Sequence, residues 1–452
     1  MGVVVLAAGQ GTRMRSSRPK VLHAVAGKAM LRHVLDAVES LRPARCVVVV
    51  GPDQTAVAQA AAPHATAWQT ERLGTGHAVQ AARAALGELA ADPHAEVLVT
   101  CGDTPLLTAE TLAGLRRARA AQDADLAVLG FQAADPGSYG RLVLDDQGLL
   151  QRIVEAKDAR ADELAIDRCN AGVLLARADL LFQALARVTN DNAKGEYYLT
   201  DVVAIARGEG ARIAVELGPE AEMQGVNSRA DLAAAEARMQ ARLRAHALDQ
   251  GVTLTAPETV FLSHDTALAP DVTVEPHVVF GPGVSVAEGA TIKAFSHLEG
   301  ARVGAGAQVG PYARLRPGTV LGEGSRIGNF VETKNAELGA GAKANHLTYL
   351  GDTVVGAAAN IGAGTITCNY DGYLKHRTEI GAGAFIGSNS ALVAPVKVGA
   401  GAILGAGTTL TQDVADDALA VTRADQRTVA GGAARFRESR QAEQARRTGA
   451  ES

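Results

Sequence analysis

The sequence predicts an α/β domain with an open, mostly parallel sheet, followed by a parallel β-helix. In the first half, short apolar runs alternate with helical patterns, and in the second half large apolar residues recur every six positions. An amphipathic helix or an ordinary strand cannot keep a period of six over many units. A chain of 452 residues is also too long for one hydrophobic core. We therefore expect separate domains for the two patterns.

The first half indicates strands that are buried on both faces of a sheet. Continuous apolar runs occur at 2–6, 46–50, 96–100 and 125–131, with helical patterns between them. This alternation is typical of an open sheet whose ligands bind outside the carboxyl ends of the strands. The loops that follow the strands are therefore candidate binding segments.

Two of these loops carry charge beside small residues. The first strand leads into LAAGQGTRM (6–14), where small residues let backbone amides approach an anion, and Arg13 and Lys20 add positive charge. The strand at 96–100 leads into Asp103, and a carboxylate at a strand end can hold a hard cation that bridges phosphates. Each loop also has an ordinary interpretation as a turn or a helix cap, so neither is decisive alone.

The six-residue step in the second half indicates a β-helix made of hexapeptide coils. Each coil turns one apolar side chain inward, where only stacking on neighbouring coils can bury it. Two one-residue slips and a longer interruption between Ile361 and Ile380 break the period. The predicted product is a rigid prism with flat faces that could pack on copies of itself. The repeating positions are Phe280, Val286, Ile292, Leu298, Val303, Val309, Leu315, Leu321, Ile327, Leu338, Ala344, Leu350, Val355, Ile361, Ile380, Ile386, Leu392, Val398, Leu404 and Leu410.

Polar residues on the outer faces of such a prism, or at breaks in the repeat, are candidates for function. Ala344 points inward in this register, so His346 should project outward, free to meet a ligand. A surface histidine is more often only solvated, but this one has basic residues nearby in the sequence. The polar candidates are Arg316, Lys334, His346, Tyr349, Asn360 and Lys375.

Composition and charge argue against several classes of protein. A net charge of -5 gives no reason to expect nucleic acid, although local basic clusters can still bind sugar phosphates and nucleotides. We expect no signal peptide, and no apolar run is long enough to span a membrane. Four widely spaced cysteines without a C-x-x-C pair fit reduced thiols in a cytoplasm.

Taken together, the motifs resemble those of a known enzyme family. LAAGQGTRM, RPKVLH, LGTGHA and CGDTPL resemble nucleotidyltransferases that join a sugar 1-phosphate to a nucleoside triphosphate. SYGR, IVE, NAG, GEYYLTD and GVN then follow in the order seen in bacterial bifunctional N-acetylglucosamine-1-phosphate uridyltransferase/glucosamine-1-phosphate acetyltransferases. The resemblance covers nearly the whole chain, including the hexapeptide region.

The resemblance implies a domain organisation and two reactions. A Rossmann-like nucleotidyltransferase domain (1–227) and a left-handed β-helix acetyltransferase domain (249–424) would be linked by an exposed helix (228–248), with a mobile tail (425–452). Acetyl-CoA would acetylate glucosamine 1-phosphate, and UTP with Mg²⁺ would then uridylylate the N-acetylglucosamine 1-phosphate and release pyrophosphate. The product would supply peptidoglycan and lipopolysaccharide synthesis. A homotrimer formed through the β-helix would complete the acetyltransferase site.

The resemblance also implies roles for residues of the first domain. Asp103 and Asn227 would bind Mg²⁺, while Arg13 and Lys20 would neutralise phosphates. The family usually has Thr at the position of Ala171 and an aromatic residue at that of Cys101. The residues expected around the nucleotide and the sugar are Leu6, Ala7, Ala8, Gly9, Gln69, Gly74, Thr75, Cys101, Gly102, Gly140, Glu155 and Asn170.

In the β-helix, the same resemblance makes His346 the general base that takes a proton from the substrate amine. Arg316, Lys334, Tyr349 and Lys375 would hold glucosamine 1-phosphate, with Asn360 and Asn369 orienting substrate and base. The expected acetyl-CoA contacts are Ala363, Tyr370, Ser388, Ala406 and Arg423, the last suited to a coenzyme phosphate.

Two other interpretations stay open from the sequence. The β-helix could serve only for assembly, which retained acetyl transfer would exclude. Both domains could instead be regulatory binding modules without turnover, which release of pyrophosphate from UTP would exclude.

Overall fold

The computed structural model describes residues 1–146 and 148–448. The chain divides into two compact units. The first consists of Met1–Ala267 with Val279–Val284, and the second consists of Leu268–Val278 with the described residues from Ser285 onward. Among the described residues, no helix is both long and apolar enough to cross a membrane.

The first unit is organised around a nine-stranded sheet. Across the sheet the order is β9-β5-β8-β4-β1-β2-β3, and the β6–β7 hairpin pairs with β8. The neighbours from β4 to β3 are parallel, whereas β8 is antiparallel to β4 and β5. The predicted open, mostly parallel sheet is confirmed. In chain order the strands are β1 (Gly2–Leu6), β2 (Arg45–Val50), β3 (Ala65–Trp68), β4 (Glu96–Cys101), β5 (Leu126–Gln132), β6 (Arg141–Leu144), β7 (Leu150–Val154), β8 (Arg168–Arg177) and β9 (Ile213–Leu217).

Both faces of this sheet are covered, which explains the unbroken apolar runs. Successive side chains of a strand point to opposite faces, so Val4 packs in one core cluster with Val79 and Leu181, and Val5 in another with Leu35. All five are fully buried. The strand ends, and not the faces, are thus left for ligands. The helices that precede the last one of the unit are Met30–Glu39, Thr55–Ala60, Thr75–Leu86, Ala109–Ala121, Ala161–Leu164, Ala178–Leu185, Asp201–Gly208 and Glu220–Met223.

Helix Arg229–Asp249 begins with the capping box that the sequence predicts. The Asp231 N–H donates to the Ser228 hydroxyl at 3.2 Å, and the Ser228 N–H donates to the Asp231 carboxylate at 2.9 Å. An exposed connecting helix was expected. Instead, one side of the helix, including Ala235 and Met239, is buried in an apolar cluster of the first unit, because its apolar stripe covers residues near the start of the chain.

The second unit confirms the parallel β-helix. Val309, Ile327, Ala344 and Ile361 are parallel-strand partners in successive coils, and all four are buried. Successive partners lie 17 or 18 residues apart, so three hexapeptides make a coil and a one-residue slip shortens it without breaking the stack. The interruption gives one coil of 25 residues, since Ile361 pairs with Ile386.

Short strands form the faces of this prism. Helix Gly432–Thr448 follows them, inside the segment that was expected to be mobile, and residues 449–452 of that segment lie outside the described residues. One face runs through Thr273–Val274, Thr291–Ile292, Gln308–Val309, Arg326–Asn329, Lys343–His346, Asn360–Ile361, Phe385–Ile386, Ile403–Leu404 and Leu419–Ala420. The other strands are Ser285–Val286, His297–Leu298, Ala301–Val303, Arg314–Leu315, Thr319–Leu321, Glu332–Leu338, Tyr349–Val355, Ile366–Cys368, Thr378–Ile380, Ala391–Val393, Val396–Val398 and Thr409–Leu410.

The substitution Leu404→Ala should lower the free energy of unfolding of the β-helix by about 2–5 kcal/mol, because it leaves a cavity between coils. Leu404 is 1% exposed, whereas its strand neighbour Ile403 is 45% exposed. Ile403→Ala is the matched control and should cost only about 0.5 kcal/mol. Chemical denaturation followed by circular dichroism measures both values. Equal losses in the two variants would contradict the inward and outward assignment of this strand.

Candidate active sites

A cavity of about 430 Å³ opens at the carboxyl ends of β1 and β4, where parallel sheets bind their ligands. Arg13 does not line it, since it is exposed in the turn Thr12–Met14. Gly102 does not line it either, and its N–H donates to the Leu6 carbonyl oxygen at 2.9 Å. The predicted residues that do line it are Leu6, Ala7, Ala8, Gly9, Lys20, Gln69, Gly74, Thr75, Cys101 and Asp103.

The glycine-rich segment LGTG shapes one wall of this cavity. Gly74 has a φ of +106°, and a side chain there would come within 2.7 Å of the Tyr197 carbonyl oxygen. The Gln69 amide donates to the Gly74 carbonyl oxygen at 2.9 Å, and the Leu199 N–H donates to the Thr75 hydroxyl at 3.0 Å. Glycine is required here by both the backbone conformation and the lack of space.

Asp103 and Asn227, the predicted metal ligands, converge on the ammonium group of Lys20. Lys20 Nζ donates to the Asp103 carboxylate, and to Asn227 Oδ1 at 3.0 Å. The two oxygens therefore share one point of positive charge, which fits a hard cation. Mg²⁺ usually takes one or two protein oxygens and completes its shell with water and substrate phosphates. Among the described residues there is no cluster of three or more His, Cys, Asp or Glu side chains that could hold a metal alone.

A smaller cavity of about 130 Å³ adjoins the first and is lined by residues predicted to hold a sugar. It shares Leu6, Thr75 and Cys101 with the larger cavity and adds Glu155 and Asn170. Burial raises the pKa of Glu155. The shared lining places two binding volumes side by side, as a transfer between two bound substrates requires.

The two departures from the family pattern lie in different environments. Ala171 is buried in the core and lines neither of these two cavities. Cys101 lines both, and burial raises the pKa of its thiol to about 12, so the thiol stays protonated at neutral pH. Gly140 is held against the sugar-side residues, because its carbonyl oxygen accepts the Asn170 N–H at 2.8 Å.

On the β-helix, three predicted phosphate-binding cations come together. A hydrogen bond with Lys375, together with repulsion from Lys375 and Arg316, lowers the pKa of Lys334. Arg316 also donates to the Glu332 carboxylate at 2.9 Å. Like charges held this close repel one another in the absence of an anion, so the cluster is suited to a phosphate.

The insertion that lengthens one coil begins beside this cluster. The Asn369 amide donates to the Asp352 carboxylate. The Tyr349 hydroxyl lies over Gly351, where the Asn369 amide also approaches. Tyr349 and Asn369, both predicted for the acetyltransferase site, are thus brought together at the base of the insertion.

A column of equivalent positions runs along one face of the prism from His346. His346, Ala363, Ser388 and Ala406 each lie two residues after a core position, and those core positions are paired in register from coil to coil. Arg423 ends the column, with its guanidinium donating to the Ala406 carbonyl oxygen at 2.8 Å. The structure therefore aligns four of the residues predicted for acetyl-CoA with the predicted base.

Two predicted residues stand apart from these contacts. Tyr370 is 60% exposed on the insertion, and its hydroxyl donates to the Gly372 carbonyl oxygen at 2.5 Å. Asn360 lies beside Lys343 of the preceding coil, and the described residues give its side chain no hydrogen-bond partner.

Several residues of the two sites were missed from the sequence. Arg72 lines the nucleotide cavity and donates to the Ala8 carbonyl oxygen at 3.1 Å, and its place directly before LGTG was a usable signal. Asn329 and Glu332 lie beside His346 and Arg316, but only the register between coils, which the hexapeptide step leaves open at its slips, brings them there.

Comparison with known families and relatives agrees with both halves of this description. Residues 3–200 match the MobA-like NTP transferase domain, and residues 300–335 and 377–412 match the bacterial transferase hexapeptide (six repeats). The predicted fold class, a Rossmann-like nucleotidyltransferase domain with a left-handed hexapeptide β-helix, is confirmed.

Proteins called bifunctional protein GlmU are similar to the chain over nearly its whole length. The Paramagnetospirillum magneticum protein is 54% identical over 448 residues, covering 99% of both chains. Those of Azorhizobium caulinodans and Xanthobacter autotrophicus are 59% and 58% identical over 442 residues, covering 97% of each chain. The chain belongs to this family of bifunctional GlmU proteins, the uridyltransferase and acetyltransferase family that its motifs resemble.

Proposed function

We propose that the two cavities of the first unit transfer the uridylyl group of UTP to N-acetylglucosamine 1-phosphate, and that the His346 column on the β-helix acetylates glucosamine 1-phosphate from acetyl-CoA. The observation that carries the first assignment is the convergence of Asp103 and Asn227 on one cation in a cavity at the strand ends. The second rests on the alignment of His346 with the predicted coenzyme residues.

Uridylyl transfer needs orientation and charge more than a protein nucleophile. A phosphate oxygen of the sugar attacks the α-phosphorus of UTP, the new P–O bond forms as the bond to the β-phosphate breaks, and pyrophosphate leaves. The attacking phosphate is already ionised, so no base is required. Asp103 and Asn227 would hold Mg²⁺, which supplies positive charge for the phosphates when bound. Lys20 and the loop amides after β1 add further donors, and Glu155 and Asn170 orient the sugar.

Acetyl transfer needs a base. The amine of glucosamine 1-phosphate attacks the thioester carbonyl carbon, His346 takes a proton from the nitrogen, and the tetrahedral intermediate expels the coenzyme thiolate. The imidazolium then returns its proton to the sulfur. The cluster of Arg316, Lys334 and Lys375 would anchor the sugar phosphate.

We further infer a homotrimer formed through the β-helix, in a cytoplasmic setting. Support for assembly comes from the exposure of the site, since His346 is exposed and the insertion presents Tyr373 at 92% and Leu374 at 64% exposure. Apolar side chains this exposed are typical of association surfaces. In this proposal residues 1–227 and 249–424 form the two catalytic domains, and 228–248 joins them.

Asp103→Ala should reduce uridylyl transfer by about 100-fold or more, because it removes a charged metal ligand, and should leave acetyl transfer unchanged. His346→Ala should do the reverse, with a loss of about 100-fold or more from the missing base. Pyrophosphate release from UTP and free thiol release from acetyl-CoA measure the two reactions separately.

Each variant serves as the folding control of the other, since the spared reaction reports an intact chain. If His346→Ala kept full acetyl transfer, the base would be misassigned. If the unaltered chain released no thiol from acetyl-CoA, the assembly-only interpretation of the β-helix would replace ours.

Lys20→Met should tighten Mn²⁺ binding to the substrate-free protein by about tenfold, because the ammonium group that now occupies the Asp103 and Asn227 oxygens no longer competes for them. The same variant should weaken UTP binding, since it loses a phosphate contact. Electron paramagnetic resonance of free Mn²⁺ measures the first effect, and titration calorimetry the second.

The matched control is Lys28→Met, which breaks another lysine–carboxylate pair, with Asp36, away from the cavity. It should leave Mn²⁺ affinity unchanged. Weaker Mn²⁺ binding in Lys20→Met would mean that Lys20 supports the metal site and does not compete for it.

A further inference from the structure

We propose that Asn329 is a positioning residue for acetyl transfer, which holds the His346 imidazole in the tautomer that can accept a proton from the substrate amine. The inference rests on the proposed function of the β-helix and adds to it a residue that the sequence motifs do not select. It is carried by one side-chain contact between two adjacent coils.

The contact is fixed by the strand register. Asn329 and His346 are paired across neighbouring parallel strands, at the head of the column that continues through Ala363. His346 Nδ1 lies 2.9 Å from Asn329 Oδ1, a normal hydrogen-bond distance. Both residues follow core positions, Ile327 and Ala344, that are 1% and 0% exposed. The backbone on either side of the contact is therefore held by the stacked coils.

The chemistry of the contact selects one tautomer. The amide oxygen of Asn329 carries no hydrogen, so the imidazole nitrogen that faces it must donate. Nδ1 is then protonated, and in the neutral ring Nε2 keeps the free lone pair. A general base needs this lone pair, because a ring with its proton on Nε2 has nothing there to receive the amine proton.

Only the preceding coil offers this acceptor. The equivalent position in the following coil is Ala363, whose side chain cannot form a hydrogen bond, and among the residues that the structure describes Asn329 is the single side chain bonded to the imidazole. The charged residues on the two strands are Arg326 and Lys343, which are paired with each other. Neither is bonded to His346, so the amide alone decides the tautomer.

The role in the reaction follows from the protons. Nε2 takes one proton from the attacking amine as the C–N bond forms, and passes it to the coenzyme sulfur as the C–S bond breaks. Nδ1 keeps its proton on the Asn329 oxygen throughout, so the ring returns to the starting tautomer at the end of each turnover. Without Asn329, part of the enzyme would begin each cycle with Nε2 blocked.

The test compares Asn329→Leu, Asn329→Asp and the matched control Gln308→Leu in the full-length protein. Gln308 is an amide residue on the same face, one coil before Asn329. Asn329→Leu should lower kcat for acetyl transfer about tenfold, the effect of one lost hydrogen bond, with KM for both substrates within about twofold. Gln308→Leu should leave kcat unchanged. Uridylyl transfer in the same samples reports correct folding.

Asn329→Asp keeps an acceptor and should restore kcat at high pH. Its negative charge stabilises the imidazolium and raises the pKa of the base, so the acid limb of the pH profile should move to higher pH. An unchanged kcat in Asn329→Leu, or an unshifted acid limb in Asn329→Asp, would overturn the inference while leaving the proposed function intact. Absence of acetyl transfer in the unaltered protein would instead overturn the proposed function.

Discussion

Burial of one apolar side chain in every hexapeptide controls the geometry of the second unit. An isolated coil cannot remove Ile327 or Ala344 from water, so each coil must stack on the next in a register that keeps these side chains above one another. That register also fixes every outward-facing residue. His346 stands below Asn329 and above Ala363 only because the core positions two residues earlier are paired. A hydrophobic constraint inside the prism thus sets the chemistry on its surface.

The same logic, with a different driving force, applies to the first unit. The sheet buries both faces under helices and leaves the strand ends, where loops such as LAAGQGTRM and LGTG have enough small residues to admit a ligand. Charge then decides what binds. Asp103 would carry an uncompensated charge in this partly buried cavity, and the ammonium group of Lys20 supplies the partner. A cation that satisfies a carboxylate in this way must be displaced when a divalent ion takes the same oxygens, which couples the two binding events.

Each catalytic assignment rests on groups held within a single unit, so the two reactions can be separated by single substitutions. Cys101 joins the nucleotide and sugar cavities as a protonated thiol, whereas the alanine at position 171 is buried in the core. The departures from the family pattern therefore act at different distances from the substrates, and Cys101 is the one in contact with both binding volumes.

Local patterns were sufficient to predict both folds, the capping box of helix Arg229–Asp249 and most of the nucleotide cavity, because strand runs, glycine loops and the six-residue step are properties of short segments. Asp103 and His346 could be selected from their positions after a strand and beside a core residue. The tertiary structure alone decided the rest. The contact of Lys20 with Asn227 joins residues 207 apart in the chain, and the exposure of Arg13 depends on how its turn leaves the sheet. Asn329 meets His346 because one coil of this stack is 17 residues long and not 18. No local pattern carries such information, since it arises only when distant segments bury their apolar side chains together.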